Sequence, residues 1–247
     1  MIERIEEYVR RRDFTDYIMP IWLPFLPVSI VLIASFILLT TLTIHKNYGY
    51  YHFSYLYEDI AYLAFGIYLI LAVFATAINV YVVYKWVSRR NEHFKRQRLL
   101  FNSIKDFLKS KGFDVSGLET ICMEIDIEET EKNAVLWALI QFVPYVGGFL
   151  LIYVYHFLNK DFYRHEKREE HFLSALSNVL SKAGFDFSYI RYNTIPDRST
   201  ILYLVLTILT FGFFGLYWVY TLTKDPNNHF VEHRKWEDTM LNILRRL

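Results

Sequence analysis

Near its C-terminus the chain reads HFVEH, His229 to His233, which fits H-x-x-E-H, a zinc-hydrolase spacing. Two histidines four residues apart share one helical face, and Glu232 between them could serve as base. A catalytic zinc would need a third ligand, and only Glu237 and Asp238 remain downstream. The segment is therefore expected to be a charged, solvated helix face, with no catalytic residue, metal or cofactor; His229 and His233 are where a metal would sit if one were held. A second spacing recurs: Asp161 with His165, and Asp225 with His229. A carboxylate and an imidazole so placed could share a metal or relay a proton. The simpler expectation is that Asp161 and Asp225 cap or favourably charge the start of a helix, helped by Pro226 at the next position. No Gly-rich phosphate loop, Ser-centred elbow or CxxC occurs, and the single Cys122 cannot form an internal disulfide.

Ion-coupled transport is the next chemistry to weigh. Carriers place ionisable groups inside the bilayer, where they are costly and hence functional. The apolar blocks of this chain offer only Asn79, Gln141, a few Thr and Ser, and His156 near an exit. Asn and Gln commonly serve as interhelical hydrogen-bonding groups. An oligomeric channel or transporter lined by Gln141 stands as the alternative function.

The elements that must position these residues are membrane helices. Hydrophobic residues make up 53% of the 247 positions, yet 21% are charged, so the apolar residues are gathered into blocks. Ile21 to Ile44 and Ile60 to Tyr84 are uncharged runs longer than the roughly 20 residues that span a hydrocarbon core. No small-residue cleavage site follows the first, so a signal peptide is not expected. The net charge of +1 gives no reason to expect a nucleic-acid partner.

The chain also repeats itself. HFKRQRLLFNSIKDFLKSKGFD from His93 lies over HEKREEHFLSALSNVLSKAGFD from His165, and a looser third copy, HRKWEDTMLNILRRL, starts at His233. Leu100, Ile104, Phe107 and Leu108 correspond to Phe172, Leu176, Val179 and Leu180, a spacing that puts them on one helical face. The opening MIERIEEYVRRRDF sets Ile5, Tyr8, Val9 and Phe14 over Ile104, Phe107, Leu108 and Phe113. These helices are expected to lie on a membrane surface or to contact one another or a second subunit, through Lys95, Arg96, Arg98, Leu100, Phe107 and Leu108 in one copy and Lys167, Arg168, Phe172 and Leu176 in the next. The acidic stretch Glu124, Asp126, Glu128, Glu129 and Glu131 should stand away from lipid. Tyr48, Tyr50, Tyr51, Phe53, Tyr55 and Tyr57 read as an interfacial belt.

Two further apolar blocks, 134–158 and 201–223, are re-entrant hairpins or single spans. If they are single spans, the basic residues of 159–200, Lys160 to Arg198, face outside, against the positive-inside rule. If they are hairpins, all soluble segments share the cytoplasmic face. Each arm would then be about ten residues, or roughly 15 Å. Turn residues are available in Pro144, Gly147 and Gly148 of one block and in Gly212 and Gly215 of the other.

The stretch TFGFFGLYWVYTLTKD, Thr210 to Asp225, resembles the pattern T-x-G-x-(Y/F)-G-x-x-W-x-Y of an uncharacterised prokaryotic, archaeal-type membrane-domain family of unknown function. The matching positions are Thr210, Gly212, Phe214, Gly215, Trp218 and Tyr220. The resemblance implies a prokaryotic membrane protein and no activity. The expected fold is an all-α integral membrane protein with internal repeats. Its order is an amphipathic helix over 1–20, a transmembrane pair over 21–88, a helix and acidic segment over 89–133, a membrane block over 134–158, an amphipathic helix over 159–200, a block over 201–223 and a last helix over 224–247. The expected function is a non-enzymatic, homo-oligomeric scaffold that organises or shapes the cell membrane, with both termini cytoplasmic. A membrane-interfacial zinc hydrolase using His229, Glu232 and His233 is the further alternative.

Overall fold

The computed structural model describes residues 1–48, 54–189 and 191–247, and every regular element among them is helical. The tyrosine belt, Tyr48 to Tyr57, lies outside the described side chains. The helices are α1 (Ile2–Arg10), α2 (Arg12–Thr15), α3 (Leu26–Tyr48), α4 (Ser54–Ser110), α5 (Ser116–Glu128), α6 (Ala134–Leu139), α7 (Gly147–Lys182), α8 (Thr200–Leu209) and α9 (Phe213–Leu244). The chain divides into two units, one of Ile21–Val83 and one of Met1–Pro20 with Tyr84–Leu247.

The first unit holds α3 and the apolar half of α4, two helices long and apolar enough to cross a membrane. Only 11% and 6% of their most apolar windows are buried within the chain, which is not how a soluble core helix is covered. The hydroxyls of Thr40, Thr41 and Thr43 return to carbonyls one turn back, so these polar groups need no water.

The second unit is a helical bundle. Leu100, Ile104, Phe107 and Leu108 of α4 and Phe172, Leu176, Val179 and Leu180 of α7 meet in one core, joined by Ile5 and Val9 of α1 and by Leu118, Cys122 and Ile125 of α5. Each fully buried large side chain there contributes about 1.5–3 kcal/mol. The apolar face expected to meet lipid or a second subunit is thus consumed inside the chain. Arg96 and Arg168, expected at that surface too, are buried in ion pairs, while Lys95, Arg98 and Lys167 stay at the periphery beside Glu131, Asp126 and Glu170. From α9, Trp236, Met240, Ile243 and Leu244 enter the same core, each sixty-four positions after its counterpart in α7. That spacing aligns His229, rather than His233, with His165. Phe14 does not follow the expected correspondence: it is 84% exposed.

α4 and α7 end alike. Gly112 and Gly184 take φ of 84° and 83°, and the following Phe113 and Phe185 N–H groups donate back to Leu108 and Leu180. This left-handed cap terminates a helix only where a residue tolerates positive φ, which explains the shared Gly-Phe-Asp.

The expected boundaries at 158/159 and 223/224 fall inside α7 and α9, which run unbroken. Asp161 and Asp225 are consequently not caps: Asp161 pairs with Arg90 (3.0 Å) and Lys132, and Asp225 with Arg198 (2.6 Å). Pro226 sits within α9 rather than opening it. A proline there deprives the Leu222 carbonyl of its helical donor, and Arg89 Nη2 donates to that carbonyl instead, at 2.8 Å. Arg89 Nη1 also donates to Asn227, whose amide group closes a pair of hydrogen bonds with the Met19 backbone.

Each of the two shorter apolar blocks is broken by a turn into two arms in contact. Trp137 meets Tyr153 and Phe157 across one turn, and Tyr203 meets Phe214 and Trp218 across the other. Asn133 and Ser199 cap the entering arms by accepting from Leu136 and Leu202 N–H. Pro144 lies in the first turn. A Cβ on Gly147 would stand 2.4 Å from the Gln141 carbonyl oxygen, whereas Gly148 faces open space. Gly212, at φ 94°, starts α9, and Gly215 packs beside Thr207.

Candidate metal centre

Four histidines meet inside the bundle: His93 on α4, His165 on α7, and His229 and His233 on α9. One ring nitrogen of each lies within 4.8 Å of one from every other. All four are buried, so the HFVEH face expected to be solvated is the opposite. The i, i+4 spacing brings His229 and His233 to 4.3 Å between ring centroids, and His93 lies 5.2 Å from both His165 and His229. Phe94 stacks on His165 at 4.1 Å, Phe230 lies against His93, and Trp236 closes the side of His233.

Each imidazole has its own carboxylate. His93 Nδ1 is 2.9 Å from Asp16, His165 Nδ1 2.9 Å from Glu129, His229 Nδ1 3.2 Å from Glu166 and His233 Nε2 2.8 Å from Glu169. An ionised carboxylate can only accept, so the facing nitrogen carries the proton and the other nitrogen of a neutral ring keeps its lone pair. Those other nitrogens, Nε2 of His93, His165 and His229 and Nδ1 of His233, are buried without a hydrogen-bond partner among the described residues. Buried polar atoms are rarely left so. Neutral imidazole with its far N–H on a carboxylate is the usual state of a metal-bound histidine.

Guanidinium groups fix the carboxylates in turn. Arg96 bridges Asp16 (2.8 Å) and Glu237 (2.7 Å), Arg168 holds Glu129 (3.0 Å), and Arg191 spans Glu166 (2.8 Å) and Glu169 (2.7 Å). Burial works against the charge on Asp16, yet His93 and Arg96 hold it below the usual carboxylate range. Glu129 is likewise held down, against burial, by His165 and Arg168. Burial, reinforced by cationic neighbours, keeps His229 and His233 well below the ordinary imidazole value, hence neutral near pH 7. Burial pushes Glu237 up to about 7 despite Arg96. Five buried carboxylates and the guanidiniums of Arg96, Arg168 and Arg191 thus surround the four nitrogens, with Arg12 also 3.6 Å from Glu237.

Four nitrogens and no thiolate suit the imidazole-preferring ions, zinc, copper, nickel or iron. Four protein ligands fill a tetrahedral sphere and leave no open position for a reacting water. Glu232, the expected base, turns away: it accepts from Tyr189 (2.5 Å), Asn193 (3.2 Å) and Lys235 (3.0 Å). Of the acidic stretch, Glu129 folds into the bundle to His165, while Glu124, Asp126, Glu128 and Glu131 are exposed. The sequence points to His229 and His233, and to His165 only as a partner of Asp161, but not to His93, nor to the carboxylates Asp16, Glu129, Glu166 and Glu169. The available signal was the alignment of Asp161-His165 with Asp225-His229, which superposes His93, His165 and His229 once the third copy is set four residues earlier.

Residues 198–244 match the family model of a domain of unknown function (DUF4234), a stretch that covers α8 and α9 with two of the four histidines. No curated protein and no solved structure matches the chain.

Proposed function

We propose that this is a membrane-anchored, non-enzymatic metal protein: a helical scaffold built around one buried transition-metal ion held by His93, His165, His229 and His233. The observation that carries this reading is the set of four unpaired buried imidazole nitrogens, each on a ring whose other nitrogen faces a carboxylate. Asp16, Glu129, Glu166 and Glu169 orient the rings and raise their basicity.

The anchoring has two parts. The apolar helices over 21–44 and 60–84 cross the bilayer. The blocks 134–158 and 201–223 enter it as re-entrant hairpins and return. Their turns present Tyr145 and Phe211 almost fully exposed, at 100% and 94%, both at positive φ. A strained backbone that displays a large apolar side chain is reasonable where lipid receives it. Turn groups are satisfied locally, as membrane depth requires: the Phe214 N–H donates to Thr210 Oγ1 and the Gly212 N–H to the Thr207 carbonyl.

Metal analysis of the purified protein is expected to find about one transition ion per chain, lost in His165→Ala and His229→Ala while helical content persists. Chains free of zinc, copper, nickel and iron after reconstitution with each would overturn the metal reading.

A further inference from the structure

The helices that supply the ligands are also the helices that carry the hairpins. α7 runs without a break from Gly147, beside the first turn, to His165, and α9 from Phe213, beside the second, to His229 and His233. Along a helix those stretches of eighteen and sixteen residues amount to about 27 Å and 24 Å. Between the turns and the histidines the two helices touch through Tyr155 and Trp218 (5.4 Å), and at the level of the histidines through Phe162 and Phe230 (6.0 Å). Beside His165, His229 and His233 the facing groups are all poor partners without an ion. Their second nitrogens have no hydrogen-bond partner, and the nearest carboxylate oxygens stand beyond hydrogen-bond reach, Glu169 at 3.7 Å from His229 Nε2 and Glu237 at 3.6 Å from His233 Nδ1.

Resting on the metal reading above, we propose that the ion bound by the four histidines fixes the separation of the two apolar hairpins, so that occupancy of the centre controls whether they stand side by side in the bilayer. With an ion, the lone pairs of α7 and α9 converge on one cation, and two stiff helices are pinned at a point well away from their membrane tips. Without it, the same point carries ring nitrogens with no hydrogen-bond partner in an apolar setting, an arrangement that buried groups avoid. Because both helices are continuous, a change of spacing at the histidines is transmitted along each of them to its turn, and so to Phe149 and Phe213. The aromatic contacts at Tyr155 and Trp218 then act as a hinge that the ion closes. The class of partner that regulates the protein is accordingly a free imidazole-seeking dication.

Spin labels on Phe149→Cys and Phe213→Cys, both 74% exposed in the parent, in a Cys122→Ser background in liposomes, read the hairpin separation by pulsed electron resonance. With Zn2+ alone the distance distribution is expected to be narrow. Removal of zinc should broaden it at least two-fold while helical circular dichroism holds, re-addition should restore it, and His229→Ala should stay broad in zinc. A chain that holds about one zinc yet gives the same distribution after its removal overturns the hinge and leaves the metal centre standing. A chain that holds no zinc or other added dication overturns both. Collapse of helical content on zinc removal would also overturn it, since the ion would then be needed for folding rather than for spacing.

Discussion

Asp16 shows how much of the centre depends on residues outside the ligand helices. It follows α2, reaches His93 Nδ1 at 2.9 Å and is clamped by Arg96 through both carboxylate oxygens. Its charge, not its shape, makes the His93 ring a stronger donor to an ion. Asp16→Asn keeps the size and an acceptor oxygen but removes that charge, and carboxylates in this position are worth about 10–100-fold in metal affinity. Competition titration against a coloured chelator should show a loss of that size, and an affinity within two-fold of the parent would argue that Asp16 is a folding residue only. At this scale the sequence displays HFVEH because both histidines lie within one turn of helix. His165 and His93 are 64 and 136 residues upstream of His229, a separation that no local motif records. Asp16, Glu129 and Arg191 are legible even less, because a buried carboxylate or guanidinium is spelled like a surface one.

Elements are set by what stops them. The Lys-Asp exits at Asp161 and Asp225 look like boundaries because hydropathy falls there, but a change from apolar to charged residues does not break a helix. α7 continues to Lys182 because nothing before Gly184 disfavours helical dihedrals, and α9 passes Pro226 because Arg89 supplies the missing donor. The true stops, Gly112 and Gly184, are visible in the sequence as the repeated Gly-Phe-Asp. A Cβ at Gly184 would meet nothing within 4 Å, so substitution there tests the backbone alone. Gly184→Ala should destabilise the bundle by about 1–2 kcal/mol, the penalty of a left-handed conformation for an L-residue. Gly112→Ala should do the same, and the double variant should lose the sum, because the two caps end different helices. Chemical denaturation that shows a loss below about 0.3 kcal/mol for either would mean that these helices fray past their caps.

At the scale of the molecule, the proposed membrane arrangement rests on the core. Leu100 and Leu108 on one side of block 134–158, Leu176 and Leu180 between the blocks, and Met240 and Leu244 after block 201–223 belong to one apolar cluster. A single packed core cannot have parts on both faces of a bilayer, which is what supports the proposal that the chain returns after each block. The charge distribution supports the same proposal, since Lys160 to Arg198 would then join the other basic residues on one face. Two arms of about ten residues reach only about halfway through a hydrocarbon core of about 30 Å. On the reading proposed above, both hairpins would displace lipid in one leaflet, as a scaffold that shapes the membrane would require. Glu128, Ser188 and Arg246 are exposed and lie before, between and after the two blocks. Cysteines placed singly at these positions in a Cys122→Ser background should react with an impermeant maleimide in the same vesicle orientation and be protected in the other. If Ser188→Cys reacts from the side opposite to Glu128→Cys and Arg246→Cys, the blocks are full spans, the shared core cannot form in the membrane, and His165 cannot join His93.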